Sequence, residues 1–124
     1  MLASAADWAW PMAVHTIFEP RGVKLIVVDR TVEFVSIIEQ NRIHAAIIDV
    51  DFSSEGIVTL KIVRKGFPWL PCLVLKSGPD EVLLARALQL DAFSVIDKPV
   101  DMKILRQQLD RVFIKMYNSD LFAD

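Results

Sequence analysis

Short apolar runs alternate with longer helical patterns along this chain. Val23-Lys24-Leu25-Ile26-Val27-Val28 is a β-branched run that follows a turn at Gly22. His44-Ala45-Ala46-Ile47-Ile48, Cys72-Leu73-Val74-Leu75 and Ala92-Phe93-Ser94-Val95-Ile96 follow it, and Pro71 fits at the mouth of the third run. Met1 to Ala5 supplies an earlier, alanine-rich run, so the first strand is expected to be short or clipped, within residues 1–6. Near-continuous apolar runs, rather than strict alternation, predict strands covered on both faces, as in parallel sheets.

Helical spacing fills the gaps. Thr31 to Gln40 places Phe34, Ile37 and Ile38 on one face, with Thr31 as the expected N-cap. Glu55 to Lys65 aligns Ile57, Leu60 and Val63. Pro79 to Leu90 has proline at its first position and Asp80 and Glu81 in its first turn, where the helix dipole favours acids. Asp101 to Tyr117 carries a stripe of Met102, Leu105, Leu109, Val112, Phe113 and Met116. Pro11 to Glu19 is a shorter helical pattern that ends near Pro20 and Gly22. The βαβα alternation predicts an α/β fold with a doubly wound, five-stranded parallel sheet.

Composition narrows the functional classes. At 124 residues the chain is expected to form one domain, 1–124. Hydrophobic residues make up 53% and mean hydropathy is +0.38, which excludes a disordered chain. No run approaches the about 20 apolar residues of a membrane span. Fourteen basic against sixteen acidic residues give a net charge of −2, which argues against nucleic-acid binding by charge and leaves only a local basic patch open. The single cysteine, Cys72, excludes an intrachain disulfide and a cysteine zinc cluster. The amino end has no positively charged stretch of the kind a signal peptide carries, so the expected compartment is the cytoplasm.

In open α/β sheets, sites form at the carboxyl ends of the strands. The residues that follow the runs are therefore the candidates: Asp7; Asp29 and Arg30; Asp49, Val50 and Asp51; Lys76 and Ser77; Asp97, Lys98 and Pro99. Dinucleotide and P-loop glycine motifs are missing, so nucleotide binding has no motif support, and no nucleophile-elbow motif is present. Cys72 lacks the following arginine of a cysteine phosphatase loop and reads as a core residue. His15 and His44 read as surface or strand-end residues, and Arg64-Lys65 as the solvated end of a helix. Trp8 and Trp10 are expected to cover the sheet beside the first strand.

Order and spacing together carry a resemblance. Ile47-Ile48-Asp49-Val50-Asp51, followed by Glu55-Gly56, resembles the phospho-acceptor strand and loop of response-regulator receiver domains. Leu90 to Val100, with Lys98-Pro99 after an Ala-Phe strand, resembles that family's last strand and its Lys-Pro signature. The resemblance spans residues 11 to 117 and implies a flavodoxin-like receiver fold with strand order 2-1-3-4-5. It implies Asp49 as phospho-acceptor, Lys98 as the partner of a phosphoryl oxygen, and a cis peptide at Pro99. It further implies a histidine kinase or phosphotransfer protein as partner, and self-association through the fourth helix, fifth strand and fifth helix.

Three departures modify these implications. The family's Mg²⁺-holding acidic pair corresponds here to Ser4-Ala5-Ala6-Asp7, so the metal falls to Asp49 with Asp7 and is expected to bind weakly. The family's switch Ser/Thr aligns with Lys76, while a shift by one residue would put Ser77 in that role. Lys76 is therefore expected close to Asp49, its ammonium replacing part of the missing metal charge. The aromatic switch position holds Val95. The expected function is an atypical receiver with impaired Mg²⁺-dependent phosphorylation. Its alternatives are a phosphorylation-independent dimerisation module and, further off, a flavodoxin-like FMN carrier, against which the lack of a phosphate-cradling loop counts.

Overall fold

The computed structural model describes residues 1–4, 13–28, 30–50, 56–78 and 80–123. The expectations for Ala5, Asp7, Trp8, Trp10, Asp29, Asp51 and Pro79 fall outside these residues. Strands β1 (Leu2–Ser4), β2 (Ile26–Val28), β3 (Ala46–Asp49), β4 (Cys72–Ser77) and β5 (Ser94–Lys98) form a parallel sheet in the order β2-β1-β3-β4-β5. The helices are α1 (Val14–Phe18, π-wound, running into a 3₁₀ turn at Glu19–Arg21), α2 (Thr31–Gln40), α3 (Gly56–Gly66), α4 (Glu81–Gln89) and α5 (Met102–Tyr117). The doubly wound sheet is the one the sequence pattern predicts, and its strand order is the one the family resemblance implies.

The continuous apolar runs are explained by burial on two sides. Ala3, Ile47, Leu73, Leu75 and Ile96 face α1 and α5, where they meet Ile17, Phe18, Leu105, Leu109 and Val112. Their neighbours along the strands, Leu2, Ala46, Ile48, Cys72 and Val74, face α2 and α3 and meet Phe34, Ile38, Leu60 and Val63. Alternation with period two is preserved in direction but hidden in composition, because both faces are apolar.

Local chemistry revises several element ends. Thr31 does not cap α2: Arg30 holds the extended N-cap position without a side-chain cap, and the Thr31 hydroxyl bonds the Thr59 hydroxyl at 2.6 Å, tying α2 to α3. Asp80 is itself the N-cap of α4, accepting from Leu83 N at 2.9 Å, so the helix begins one residue later than its acids suggest. Asp101 caps α5 in the same way, accepting from Lys103 N at 2.8 Å. Met116 is exposed, because the apolar stripe of α5 outruns the sheet it covers.

Arg64 corrects the reading of a solvated basic end. It is half-buried, and its guanidinium donates to Leu70 O at 2.6 Å and Leu90 O at 3.3 Å, joining α3 to the approach to β4 and the end of α4. Gly56, the first residue of α3, is packed against the main chain that leaves β3. A Cβ there would lie 2.4 Å from Val50 Cα and 2.6 Å from Val50 O. Among the described residues, no helix is long and apolar enough to cross a membrane.

Candidate functional site

Parallel pairing sets what can meet at the carboxyl edge of the sheet. Asp49, the last residue of β3, stands opposite Leu75 of β4, and Lys98, the last residue of β5, stands opposite Ser77. Paired residues of a parallel ladder share a face, and so do residues two apart on one strand. Asp49, Ser77 and Lys98 therefore lie on one face, and Lys76 lies on the other.

Side-chain geometry follows this register. Lys98 Nζ donates to Asp49 Oδ1 at 2.9 Å and to Oδ2 at 2.8 Å. The Asp49 side chain is 2% exposed and that of Lys98 16%, so the pair is largely withdrawn from water. Each charge would be costly there alone, and the pairing offsets that cost. Ser4 adds a support that the sequence reading missed. Its buried hydroxyl accepts from Asp49 N at 3.0 Å, extending the contact between β1 and β3 beyond their last paired residues, Ala3 and Ile47. The available signal was one small polar residue closing an apolar strand, a weak one.

Lys76 is the main correction. It was expected beside Asp49. Instead its ammonium donates to Asp97 Oδ1 at 2.6 Å and to Gly78 O at 2.7 Å. Lys76 and Asp97 are register partners across β4 and β5, on the face away from Asp49. The Lys76 side chain is 6% exposed and that of Asp97 73%, so a buried ammonium is satisfied by a carboxylate at the surface. Ser77, the alternative switch position, is the residue that shares the face of Lys98. The Lys98–Pro99 peptide is cis.

The donor set tests the fit of a divalent cation. Among the described residues, no group of three His, Cys, Asp or Glu side chains is placed to hold a metal. Asp49 brings one carboxylate, and Lys98 already bonds both its oxygens. The expected second ligand, Asp7, lies outside the described residues. The described residues alone thus do not make a Mg²⁺ site, which needs several oxygen ligands in octahedral array.

Other expectations find their places. Cys72 is buried in β4, and burial pushes its thiol up to about 12 despite the opposing pull of the Arg64 guanidinium. His15 and His44 are exposed, and Val95 is half-buried on β5.

Comparison with known proteins agrees with this architecture. Solved structures that superpose on the chain include a CheY-like response regulator receiver domain protein from Methanospirillum hungatei JF-1, with TM-score 0.81 and 19% identity over 94% of each chain. The receiver domain of the Francisella response regulator 1452 gives 0.78 at 21% identity, over 92% of this chain and 95% of the other. NtrX from Brucella abortus gives 0.75 at 16% identity, covering 97% of this chain but 29% of that longer one. No curated protein matches the chain significantly. The family model described as the response regulator receiver domain matches residues 9–110, and on that match, with the parallel sheet and the lysine-paired aspartate at its carboxyl edge, the chain belongs to the response regulator receiver domain family.

Proposed function

We propose that this receiver domain accepts a phosphoryl group on Asp49 from the phosphohistidine of a kinase or phosphotransfer protein. One observation carries the reading: the bidentate contact of Lys98 with Asp49 at the carboxyl edge of the sheet. A carboxylate oxygen attacks the phosphorus, the N–P bond of the donor breaks, and an aspartyl phosphate forms. Lys98 holds the nucleophile in place beforehand and then neutralises a phosphoryl oxygen. Ser77, which shares the face of Lys98, offers its hydroxyl to that oxygen in this reading. Asp49 and Asp7 would hold Mg²⁺, which would supply further neutralising charge. With the acidic pair reduced to Asp7, that binding would be weak and labelling slow.

Incubation with acetyl phosphate, followed by intact-mass measurement, tests the reading. A slow phosphoryl adduct that needs Mg²⁺ and is lost in Asp49→Asn is the expected result. No adduct under any Mg²⁺ concentration, with phosphohistidine donors also inert, would sink it.

The Lys76–Asp97 pair favours a second reading, an interaction module that works without phosphate. It joins β4 to β5 whatever the state of Asp49. In that case the exposed Val82 and Leu88 of α4 and Ile104 of α5 supply the apolar part of a homodimer face. Sedimentation at rising concentration separates the readings, since this one requires a dimer in the unphosphorylated protein.

A further inference from the structure

The amino-terminal edge of the sheet, opposite Asp49, borders a cavity of about 370 Å³. Its lining includes Arg21 and Lys24 on the approach to β2, Arg42 and His44 on the approach to β3, and Phe113 and Leu121 from α5 and the segment after it. Three of these are permanent cations. No carboxylate lines the cavity among the described residues, and there none of the three cations is in an ion pair. A rim of +3 on a chain of net charge −2 is a local feature that the overall composition conceals.

The cavity walls are fixed in advance. The Arg21 guanidinium donates to Ile17 O at 3.0 Å and to Ala123 O at 3.4 Å, and it sits 5.8 Å from the centroid of the Phe122 ring. Two of its five N–H donors are thereby engaged, which holds the group while three remain. Lys24 and Arg42 are exposed. The His44 ring lies 6.4 Å from Phe113 and 5.4 Å from Tyr117, and the Tyr117 hydroxyl donates to His44 O. These contacts pin the approach to β3 against α5.

We propose that this cavity binds a small organic phosphate. The dianionic group sits on Arg21, Lys24 and Arg42, and an apolar or aromatic body lies against Phe113 and Leu121. Charge decides between anions, because against the three side-chain cations a carboxylate leaves +2 uncompensated and a phosphomonoester leaves +1. Guanidinium forks also match phosphate oxygens two at a time. Size decides between classes of ligand. The volume falls in the range of small-molecule clefts, about 300–1,000 Å³, whereas a nucleic acid needs a continuous basic groove.

Phenyl phosphate is the probe, titrated into the unmodified protein while backbone amide resonances are followed. Saturable shifts at Gly22, Val23 and His44 are expected. Inorganic phosphate and benzoate should each bind at least tenfold more weakly, for want of the ring or of the second charge. Arg42→Glu should weaken phenyl phosphate at least tenfold, about 1.4 kcal/mol, while Arg42→Lys retains most of the affinity. Arg42 is exposed, so both variants should fold. The proposal is overturned by shifts confined to residues around Asp49 and Lys98, by equal binding of inorganic and phenyl phosphate, or by no saturation. It is also overturned if phosphatidylglycerol vesicles bind in an Arg42-dependent manner while free phenyl phosphate does not, which would make the surface a lipid contact.

Discussion

Replacing Lys98 with methionine isolates the electrostatics of the Asp49 site. The substitution keeps an unbranched apolar stem and removes the ammonium that bonds both carboxylate oxygens at 2.8–2.9 Å. At that separation the attraction is about 6 kcal/mol at an effective dielectric near 20. Most of it is offset in the native protein by the desolvation of the two ions. Once the lysine is gone, this ammonium no longer offsets the desolvation of Asp49, whose side chain is 2% exposed. Removing one partner of a buried pair costs about 3–5 kcal/mol, and the 16% exposure of Lys98 puts this case near the lower end. The converse, Asp49→Asn, should cost less, about 1 kcal/mol, because a four-carbon stem lets the Lys98 ammonium swing towards water. The double variant should lie within about 1 kcal/mol of the parent. Urea unfolding at neutral pH, read by both fluorescence and circular dichroism, measures all four corners of the cycle. A loss below about 1 kcal/mol in Lys98→Met, or strict additivity in the double variant, would refute the view of Asp49 and Lys98 as a mutually dependent pair.

Further outcomes follow from the packing. Gly56→Ala should destabilise by about 2 kcal/mol or more, as overpacking does, because the new methyl would meet the Val50 main chain at 2.4 Å; an unchanged urea midpoint would contradict that contact. Arg64→Ala should cost about 2 kcal/mol, the loss of charge-assisted bonds to two carbonyl groups, whereas a solvated helix-end arginine would register almost nothing in the same titration. Cys72 holds its proton in the folded state up to about 12, against about 9 when unfolded. Its contribution to stability is therefore full below pH 9 and is lost as the pH rises from 9 towards 12. Parallel urea titrations of the parent and Cys72→Ala across that range should show the steeper decline in the parent.

Which face a side chain takes was the part of the site hardest to read from sequence. The runs that became strands were legible because burial on both faces makes them continuously apolar. The ends of those runs were not, since Lys76, Ser77, Asp97 and Lys98 are polar and yet belong to the hydrogen-bonded ladder. Alignment by sequence spacing matched Lys76 with the family's switch position. Register, however, is fixed by pairing between β4 and β5, and the helix and turns between them take up rise in amounts that a residue count does not reveal. One residue of difference moves a side chain to the opposite face, so Ser77 lies beside Lys98 and Lys76 turns to Asp97. Asp49 and Lys98 escaped this ambiguity because both end their strands on the same face. Arg64 was misread for another reason: its bonds are to main-chain carbonyls, and those carry no mark in sequence.

The close seating of Gly56 on Val50 has a mechanical consequence. With no side chain between them, the start of α3 and Val50 have little room to slide past one another. Any displacement that begins at Asp49 is therefore transmitted directly to the axis of α3, with little slack on that side. The compliant direction lies across the sheet, towards the ends of β4 and β5, where polar side chains can exchange partners without a clash between backbones. A displacement that begins at Asp49 should accordingly carry the start of α3 with it and be taken up as relative motion along the edge that joins Ser77 to Lys98.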